Sequence, residues 1–190
     1  MYPDVGYGGN YLSWVENKRR DPYNSYGNGS AMRTSAVGWY AKSIEECERL
    51  AKLCAEITHN HPDGIAGAQA TAGVIFLARN GASKDELKAY MGKYYQVDFT
   101  IDEIRPTYEY EIINKTTVPQ AFRCFYEATD FEDAIRNAIS IGGDSDTVAA
   151  IAGSMAEAFF GIPEDIAEIG MLYLDNYMSD IVEKFYSKYI

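Results

Sequence analysis

Apolar positions along the chain recur mostly at the three- and four-residue spacing of amphipathic α-helices. Three of these stretches follow a hydroxyl residue and, three positions later, a glutamate: Ser43-x-x-Glu46, Ser83-x-x-Glu86 and Thr129-x-x-Glu132. This order is typical of a capping box, in which both side chains accept hydrogen bonds from free backbone N–H groups at a helix start. We therefore predict three amphipathic helices that begin directly after Ser43, Ser83 and Thr129.

The stretch from Pro62 to Arg79 differs from these helices because small residues occupy most of its sides. A helix of this kind is expected at the centre of a helical domain, and Asn80-Gly81 is a suitable end for it. Only residues 107–113 alternate like a β-strand, and a lone strand has no partner with which to form a sheet. The pattern therefore predicts an all-α fold.

Composition and charge narrow the class of protein. The chain has 190 residues, of which 47% are hydrophobic and 24% are charged, and these values predict one globular domain over residues 1–190. Lys and Arg number 17 against 28 Asp and Glu, a formal net charge of -11, so nucleic acid and membranes are not expected partners. No apolar run is long enough to span a bilayer and the start lacks a signal-peptide pattern, which predicts a cytoplasmic protein.

The three cysteines, Cys47, Cys54 and Cys124, have no spacing typical of a disulfide framework or a common zinc site. Cys47 and Cys54 lie on the apolar stripe of one predicted helix, so we expect buried thiols. The alternative is a metal site that adds His59 and His61, but its spacing fits no common pattern.

The segment GGDSDT, residues 142–147, places two carboxylates and a hydroxyl at the start of a predicted helix that ends near Gly161. Asp144 is a favourable N-cap, and carboxylates are stabilised by the positive end of the helix dipole. Asp144, Asp146 and Thr147 can also direct three oxygens to one point, which suits Mg2+. The spacing alone fits capping and metal binding equally.

The segment SYGNGSAMR, residues 25–33, places glycines and hydroxyls immediately before a helix predicted over residues 31–41. Its backbone N–H groups can bind a phosphate without net positive charge, but an ordinary N-cap loop has the same composition. His59 and His61 lie in a helix connection, where capping and turn formation are the simpler interpretation. The first 30 residues are rich in glycine and aromatic residues, which suits loops near a ligand: Tyr2, Gly6, Tyr7, Gly8, Gly9, Tyr11 and Tyr23.

Five segments together resemble the ADP-ribosylglycohydrolase family, in the same order: GYGGN, SYGNGSAMR, THNHPDGIAGAQA, VPQAF and NAISIGGDSDTVAAIAGSMAEAFFGIP. The family includes dinitrogenase reductase-activating glycohydrolase and the animal ADP-ribosylhydrolases, and the segments look most like its bacterial branch. The resemblance implies an all-helical domain that uses two Mg2+ ions, or Mn2+ in some members. It also implies hydrolysis of the bond between C1'' of ADP-ribose and an acceptor.

The resemblance implies roles for individual residues. Asp144, Asp146 and Thr147 are implied as metal ligands, and His59 is implied to reach the ribose region. The loop implied to hold the diphosphate and ribose, with the glycine turn beside it, comprises Ser25, Tyr26, Gly27, Asn28, Gly29, Ser30, Gly6, Gly8 and Gly9. The implied partner is ADP-ribose or an ADP-ribosylated protein or small molecule.

Three elements of the family pattern do not occur in the sequence: a Gly-Asp-x-x-Gly turn, a catalytic glutamate and a Thr-Asp-Asp triplet that supplies the other metal ligands. We therefore expect the chain to correspond to the C-terminal two thirds of the family domain. We also expect it to bind one Mg2+ weakly, and we assign no catalytic acid or base.

The main functional prediction is a Mg2+-dependent ADP-ribosylglycohydrolase. The alternative is an ADP-ribose-binding module without hydrolysis, while the intact GGDSDT segment disfavours a structural role like that of the family's lens proteins. Apolar surface that an N-terminal segment would cover favours self-association, so we also expect homo-oligomers.

Overall fold

The computed structural model describes residues 5–190, and in this range it contains only α-helices as regular elements, which confirms the all-α prediction. Tyr2, one of the aromatic residues near the start, lies outside the described range. In chain order the helices are α1 (Gly9–Glu16), α2 (Gly29–Met32), α3 (Ser35–Tyr40), α4 (Ile44–Glu56), α5 (Pro62–Arg79), α6 (Lys84–Met91), α7 (Ile101–Ile104), α8 (Asn114–Glu127), α9 (Phe131–Ser140), α10 (Ser145–Phe160), α11 (Glu164–Met171) and α12 (Asn176–Tyr189).

Helix α5 lies at the centre of the fold, as its small residues predict, and contacts α2, α3, α4, α6, α8 and α10. The close approach of these helices depends on glycine both in α5 and in its neighbours. A Cβ at Gly38 of α3 would lie 2.6 Å from the Ile75 Cβ, and a Cβ at Gly73 would lie 2.0 Å from the Tyr90 phenol oxygen. The small side chains therefore allow the surrounding helices to pack directly on the α5 backbone.

The main core lies where α5, α8, α9 and α10 meet. Phe122 and Phe125 of α8 and Ile151 and Met155 of α10 have no exposed surface. Helix α10 ends at Phe160 because Gly161 adopts a left-handed φ of 78°, as predicted. The start of α10 is therefore held by a fully packed helix body.

Two of the predicted helix starts are confirmed. Ser43 caps α4 by accepting from the Glu46 N–H, and Ser83 with Glu86 forms a complete capping box at α6. The prediction at Thr129 is wrong, because α9 begins one residue later and Asp130 is its N-cap. Aspartate is a stronger N-cap than threonine.

Two further expectations differ from the structure. The helix predicted over residues 31–41 is interrupted between α2 and α3, where Arg33 and Thr34 have φ and ψ outside the helical region. Cys47 and Cys124 are buried as expected, but Cys54 is exposed because it lies on the solvent side of α4. Burial of the Cys47 thiol raises its pKa to about 12.

The segment over residues 107–113 forms no strand but makes one antiparallel bridge between Gly27 and Ile113. The Asn28 N–H donates to the Ile112 carbonyl at 2.8 Å, and the Asn114 N–H donates to the Tyr26 carbonyl at 3.1 Å. The end of this segment therefore holds the glycine loop through backbone hydrogen bonds and forms no sheet.

Helices α11 and α12 have no buried residue, and Leu172 and Tyr173 between them are 82% and 86% exposed. An edge contact between the rings of Tyr40 and Tyr189, at 5.5 Å, holds the end of α12. Self-association through such apolar surface stays a prediction. Across residues 5–190, every helix is too short or too polar to cross a membrane.

Gly38→Ala is expected to lower the free energy of unfolding by about 1–3 kcal/mol, because the new methyl must displace Ile75 or the Ala72 carbonyl, 2.8 Å away. Gly170→Ala is the matched control, since an added Cβ there meets no atom within 4 Å and alanine favours the helix. Urea denaturation of both variants measures the difference. A Gly38→Ala variant as stable as the parent chain would contradict the close packing of α3 on α5.

Candidate functional site

The glycine loop, residues 25–30, is held by hydrogen bonds to residues 58–64, to residues 112–117 and to Asp144. The Ser25 N–H donates to the Thr58 carbonyl, and the Ser25 Oγ accepts from the Gly27 N–H at 3.2 Å. Among the described residues, no acceptor is found for the N–H groups of Gly29 and Ser30, which begin α2. The loop is thus fixed in place and has free backbone donors.

Two side chains of the loop differ in what they contact. Ser30 is 1% exposed, and its Oγ donates to the Gly64 carbonyl at 2.7 Å and accepts from Asn114 at 2.8 Å. Tyr26 is 50% exposed, and its ring lies 5.3 Å from the His61 ring. Ser30 therefore holds the loop on its buried side, whereas Tyr26 has a ring surface open to solvent.

Asn28 joins the glycine loop to the start of α10. Its Nδ2 donates to the Asp144 Oδ2 at 2.6 Å and to the Thr117 Oγ1 at 3.2 Å. Asn28 is 7% exposed and Asp144 is 8% exposed, so both polar groups are largely removed from water. Residues 116 positions apart in the sequence are thereby brought into one site.

The Asp144 carboxylate does not cap α10, although Asp144 occupies the N-cap position. Within residues 5–190, its hydrogen bond comes from Asn28 and no cationic side chain forms an ion pair with it. A buried carboxylate normally has a cation or several donors as partners. The side chain that the capping interpretation assigned to the helix is therefore turned toward the loop instead.

The other two candidate ligands lie in the first turn of α10. Asp146 is exposed, and Thr147 is 7% exposed with its Oγ 3.8 Å from the Met32 sulfur, a weak partner. The part of the chain that the structure describes contains no group of three His, Cys, Asp or Glu side chains suited to hold a metal. The alternative metal site of cysteines and histidines is therefore not formed there. The candidate ligand atoms of Asp144, Asp146 and Thr147 are oxygens, and this chemistry fits Mg2+ or Mn2+ better than zinc.

His59 lies beside the glycine loop and is 7% exposed. Its Nδ1 is 2.7 Å from the Thr58 Oγ1, and its Nε2 is 3.4 Å from the position of a Cβ on Gly29. Burial, with a smaller contribution from the Arg33 charge, lowers the pKa of His59 to about 4. The ring is therefore neutral at physiological pH.

The neighbours of His59 have the structural roles that their position in a helix connection suggests. The His61 Nδ1 accepts from the Asp63 N–H at 3.1 Å and so caps α5. The Asn60 Oδ1 accepts from the Asn24 N–H at 2.8 Å. His59 therefore approaches the backbone of the glycine loop, whereas His61 contacts the loop through the Tyr26 ring.

The predicted glycine turn lies at the start of α1, where Gly6, Gly8 and Gly9 are exposed and an added Cβ meets no atom within 4 Å. A row of ring contacts connects this helix to His59, with centroid distances of 5.2, 6.0, 6.5 and 6.2 Å along Tyr7, Tyr11, Trp14, Tyr23 and His59. The row gives α1 its main side-chain connection to the loop region.

Sequence reasoning missed three residues that support the site. Asn114 and Thr117 of α8 bind Ser30 and Asn28, and Tyr108 packs on Gly143, where a Cβ would lie 2.5 Å from its ring. Burial raises the pKa of Tyr108 to about 12. The signal for the first two was the presence of polar residues at i and i+3 on the otherwise apolar face of α8.

These contacts define a helical domain in which a donor-rich glycine loop and a buried histidine are joined to an acidic helix start. A family model described as ADP-ribosylglycohydrolase matches residues 3–189. The chain therefore belongs to the ADP-ribosylglycohydrolase family. A solved structure titled "ADP-ribosylglycohydrolase-related protein complex" has the same fold, with a TM-score of 0.71 and 22% identity over 95% of this chain and 68% of that chain.

Named relatives include the human ADP-ribosylhydrolase ARH3, 26% identical over 85% of this chain and 61% of the human protein. The ADP-ribosylarginine hydrolase Tri1 of Pseudomonas putida is 28% identical over 83% of this chain and 42% of its own length. An uncharacterized protein of Archaeoglobus fulgidus is 30% identical over 72% of this chain and 50% of its own length. The chain thus spans about three fifths of the length of the mammalian ARH3 relatives.

Asn28→Asp is expected to lower the free energy of unfolding at pH 7 by about 2–4 kcal/mol, because it replaces a donor with a second buried carboxylate at 2.6 Å from Asp144. The loss should diminish at low pH, where one carboxyl becomes protonated and can donate. Asn60→Asp is the control, because this exposed residue only accepts a hydrogen bond. Urea denaturation at pH 7 and pH 5 measures both, and equal losses in the two variants would contradict the assigned contact.

His59 should make stability depend on pH. Its folded-state pKa, about 4, lies below the ordinary value near 6.5, so the unfolded chain binds the proton first as pH falls. Relative to His59→Gln, the parent chain should lose about 2–3 kcal/mol of unfolding free energy between pH 6.5 and pH 4. His61→Gln should leave this loss in place, and a parent chain that matches His59→Gln at every pH would rule out the buried neutral ring.

Proposed function

We propose that this chain binds ADP-ribose and Mg2+ on the face formed by the glycine loop, His59 and the start of α10. We further propose that it hydrolyses the bond between C1'' of ADP-ribose and an acceptor. The observation that supports this proposal is the 2.6 Å hydrogen bond from Asn28 to Asp144, which joins the glycine loop to the carboxylate at the start of α10. Family membership gives the class of reaction.

The phosphate-binding half of the site uses backbone and neutral groups. The N–H groups of Gly29 and Ser30 are free among the described residues, and His59 is held neutral beside them. The half-exposed Tyr26 ring offers an apolar surface for the adenine base. An overall acidic chain can in this way bind an anion, because the donors are dipoles placed at short range.

The metal-binding half consists of Asp144, Asp146 and Thr147, which would hold one Mg2+ or Mn2+. Three protein oxygens are fewer than the six or so ligands that Mg2+ takes, so water and substrate oxygens would complete the shell and binding should be weak. A bound ion supplies positive charge that polarises a substrate oxygen. The residues described here account for binding and orientation, and we assign none of them as the general acid.

Binding of ADP-ribose without hydrolysis is the second candidate function. The two functions share the same binding face and differ only in turnover. A binding measurement and an activity measurement on the same preparation therefore separate them.

Asp144→Asn and Asp146→Asn are each expected to weaken Mg2+ and Mn2+ binding at least tenfold, because each removes a ligand charge from the site. Asparagine at position 144 can still accept the hydrogen bond from Asn28, so the loop should stay in place. Asp165→Asn, an exposed carboxylate in the first turn of α11, is the matched control. Calorimetric titration with each metal chloride measures the affinities, and equal affinities in all four proteins would exclude this metal site.

The parent chain with Mg2+ is expected to bind ADP-ribose in calorimetry and to release it from a peptide ADP-ribosylated on arginine or on serine. Binding with turnover supports hydrolysis, and binding without turnover supports the second candidate. If ADP-ribose does not bind in the presence of Mg2+, both functions are wrong for this chain. The two peptides also distinguish the acceptor groups.

A further inference from the structure

The imidazole of His59 has an unusual pair of neighbours at one of its two nitrogens. The Nδ1 atom lies 2.7 Å from the Thr58 Oγ1 and 3.5 Å from an Arg33 guanidinium nitrogen, Nη2. The same Nη2 donates to the Thr58 Oγ1 at 3.0 Å. Arg33, Thr58 and His59 therefore form a short hydrogen-bonded series that ends at Nδ1.

The direction of the hydrogen bonds in this series is fixed by chemistry. A guanidinium has five N–H donors and no acceptor, so the Thr58 hydroxyl must accept from Arg33. The hydroxyl could also accept from a second donor, but Nδ1 itself faces the Arg33 Nη2 at 3.5 Å, and a proton on Nδ1 would meet this N–H donor. The His59 Nδ1 is therefore the acceptor. A neutral imidazole with an acceptor at Nδ1 carries its proton on Nε2.

The Nε2 atom points at the glycine loop. It lies 3.6 Å from the position of a Cβ on Gly27 and 3.4 Å from that on Gly29. No hydrogen bond from Nε2 occurs within the part of the chain that the structure describes. The N–H that the series places on Nε2 thus faces the same surface as the free loop N–H groups.

We propose that Arg33, acting through Thr58, is a positioning residue that holds His59 as a single neutral tautomer with its Nε2–H directed at the glycine loop. The ligand group that this donor fits is an oxygen acceptor, either a phosphate oxygen or a ribose hydroxyl. Only the identity of that ligand rests on the proposed function. The tautomer is a property of the ligand-free chain.

The groups around the ring agree with a neutral state. Arg33 faces it from the end of α2, Thr58 from the end of α4, and the Tyr23 ring lies 6.2 Å away in the preceding loop. No carboxylate among the described residues forms an ion pair with His59 that would stabilise its protonated form. Burial and the Arg33 charge lower the pKa of the ring to about 4.

Long-range 15N–1H NMR of the ring nitrogens in the full 190-residue chain tests the proposal directly. The chain has two histidines, so His61→Gln assigns the His59 signals. The parent chain should show the nitrogen shifts of the Nε2–H tautomer, unchanged from pH 8 to about pH 5. In Arg33→Met no cationic N–H donor faces Nδ1, so the signals should move toward a mixture of tautomers and the His59 pKa should rise.

Two further variants separate positioning from general disturbance of the fold. Arg33→Lys keeps a cationic donor and should restore most of the parent pattern, whereas Arg49→Met, at an exposed arginine of α4, should change nothing. An Nδ1–H tautomer in the parent chain, or parent-like signals in Arg33→Met, would overturn the proposal. If the Nε2–H tautomer is present but ADP-ribose leaves the Nε2 shift unchanged, the proposed function fails at this residue and the tautomer assignment stands.

Discussion

The hydrogen bond between Asn28 and Asp144 is the contact on which the site depends. It joins two largely buried polar groups over 2.6 Å and connects the glycine loop to the helix that carries the acidic motif. A buried carboxylate without a hydrogen-bond donor is costly, and this contact gives Asp144 a donor while it adds an anchor to the loop. The packed body of α10 and the support of Ser30 by Asn114 then hold the two ends of this contact in place.

The site also shows how an acidic chain can offer donors to an anion. The loop supplies backbone N–H groups, and the guanidinium of Arg33 is directed at Thr58 and His59. Its effect on the loop is therefore indirect, through the proton position on a neutral ring. On the other side of Asn28 lies the Asp144 carboxylate, so Asn28 connects the loop donors that we propose for phosphate with the oxygens that we propose for a hard cation.

Much of the fold could be predicted because its causes are local. Capping side chains at Ser43 and Ser83 and the glycine after α10 act on backbone within about one helical turn, and the small residues of α5 indicate a surrounded helix by composition alone. The error at Thr129 came from two adjacent capping residues. The break at Arg33 and Thr34 follows from no capping or glycine signal in the sequence.

The candidate site could be predicted as a set of residues but not as an arrangement. The family resemblance pointed to the loop, to His59 and to the acidic motif, while spacing alone left capping and metal binding equal. The link through Asn28 and the series from Arg33 to His59 connect positions 116 and 26 residues apart, so they become visible only in the folded chain.

In the function proposed above, the glycine loop and the acidic helix start form one binding site. The most direct test is the affinity of the chain for ADP-ribose, measured by calorimetry without divalent cation and with saturating Mg2+. If the two halves form one site, Mg2+ should tighten ADP-ribose binding about tenfold, and ADP-ribose should tighten Mg2+ binding by the same factor. Binding of ADP-ribose with the same affinity in both conditions would contradict the account.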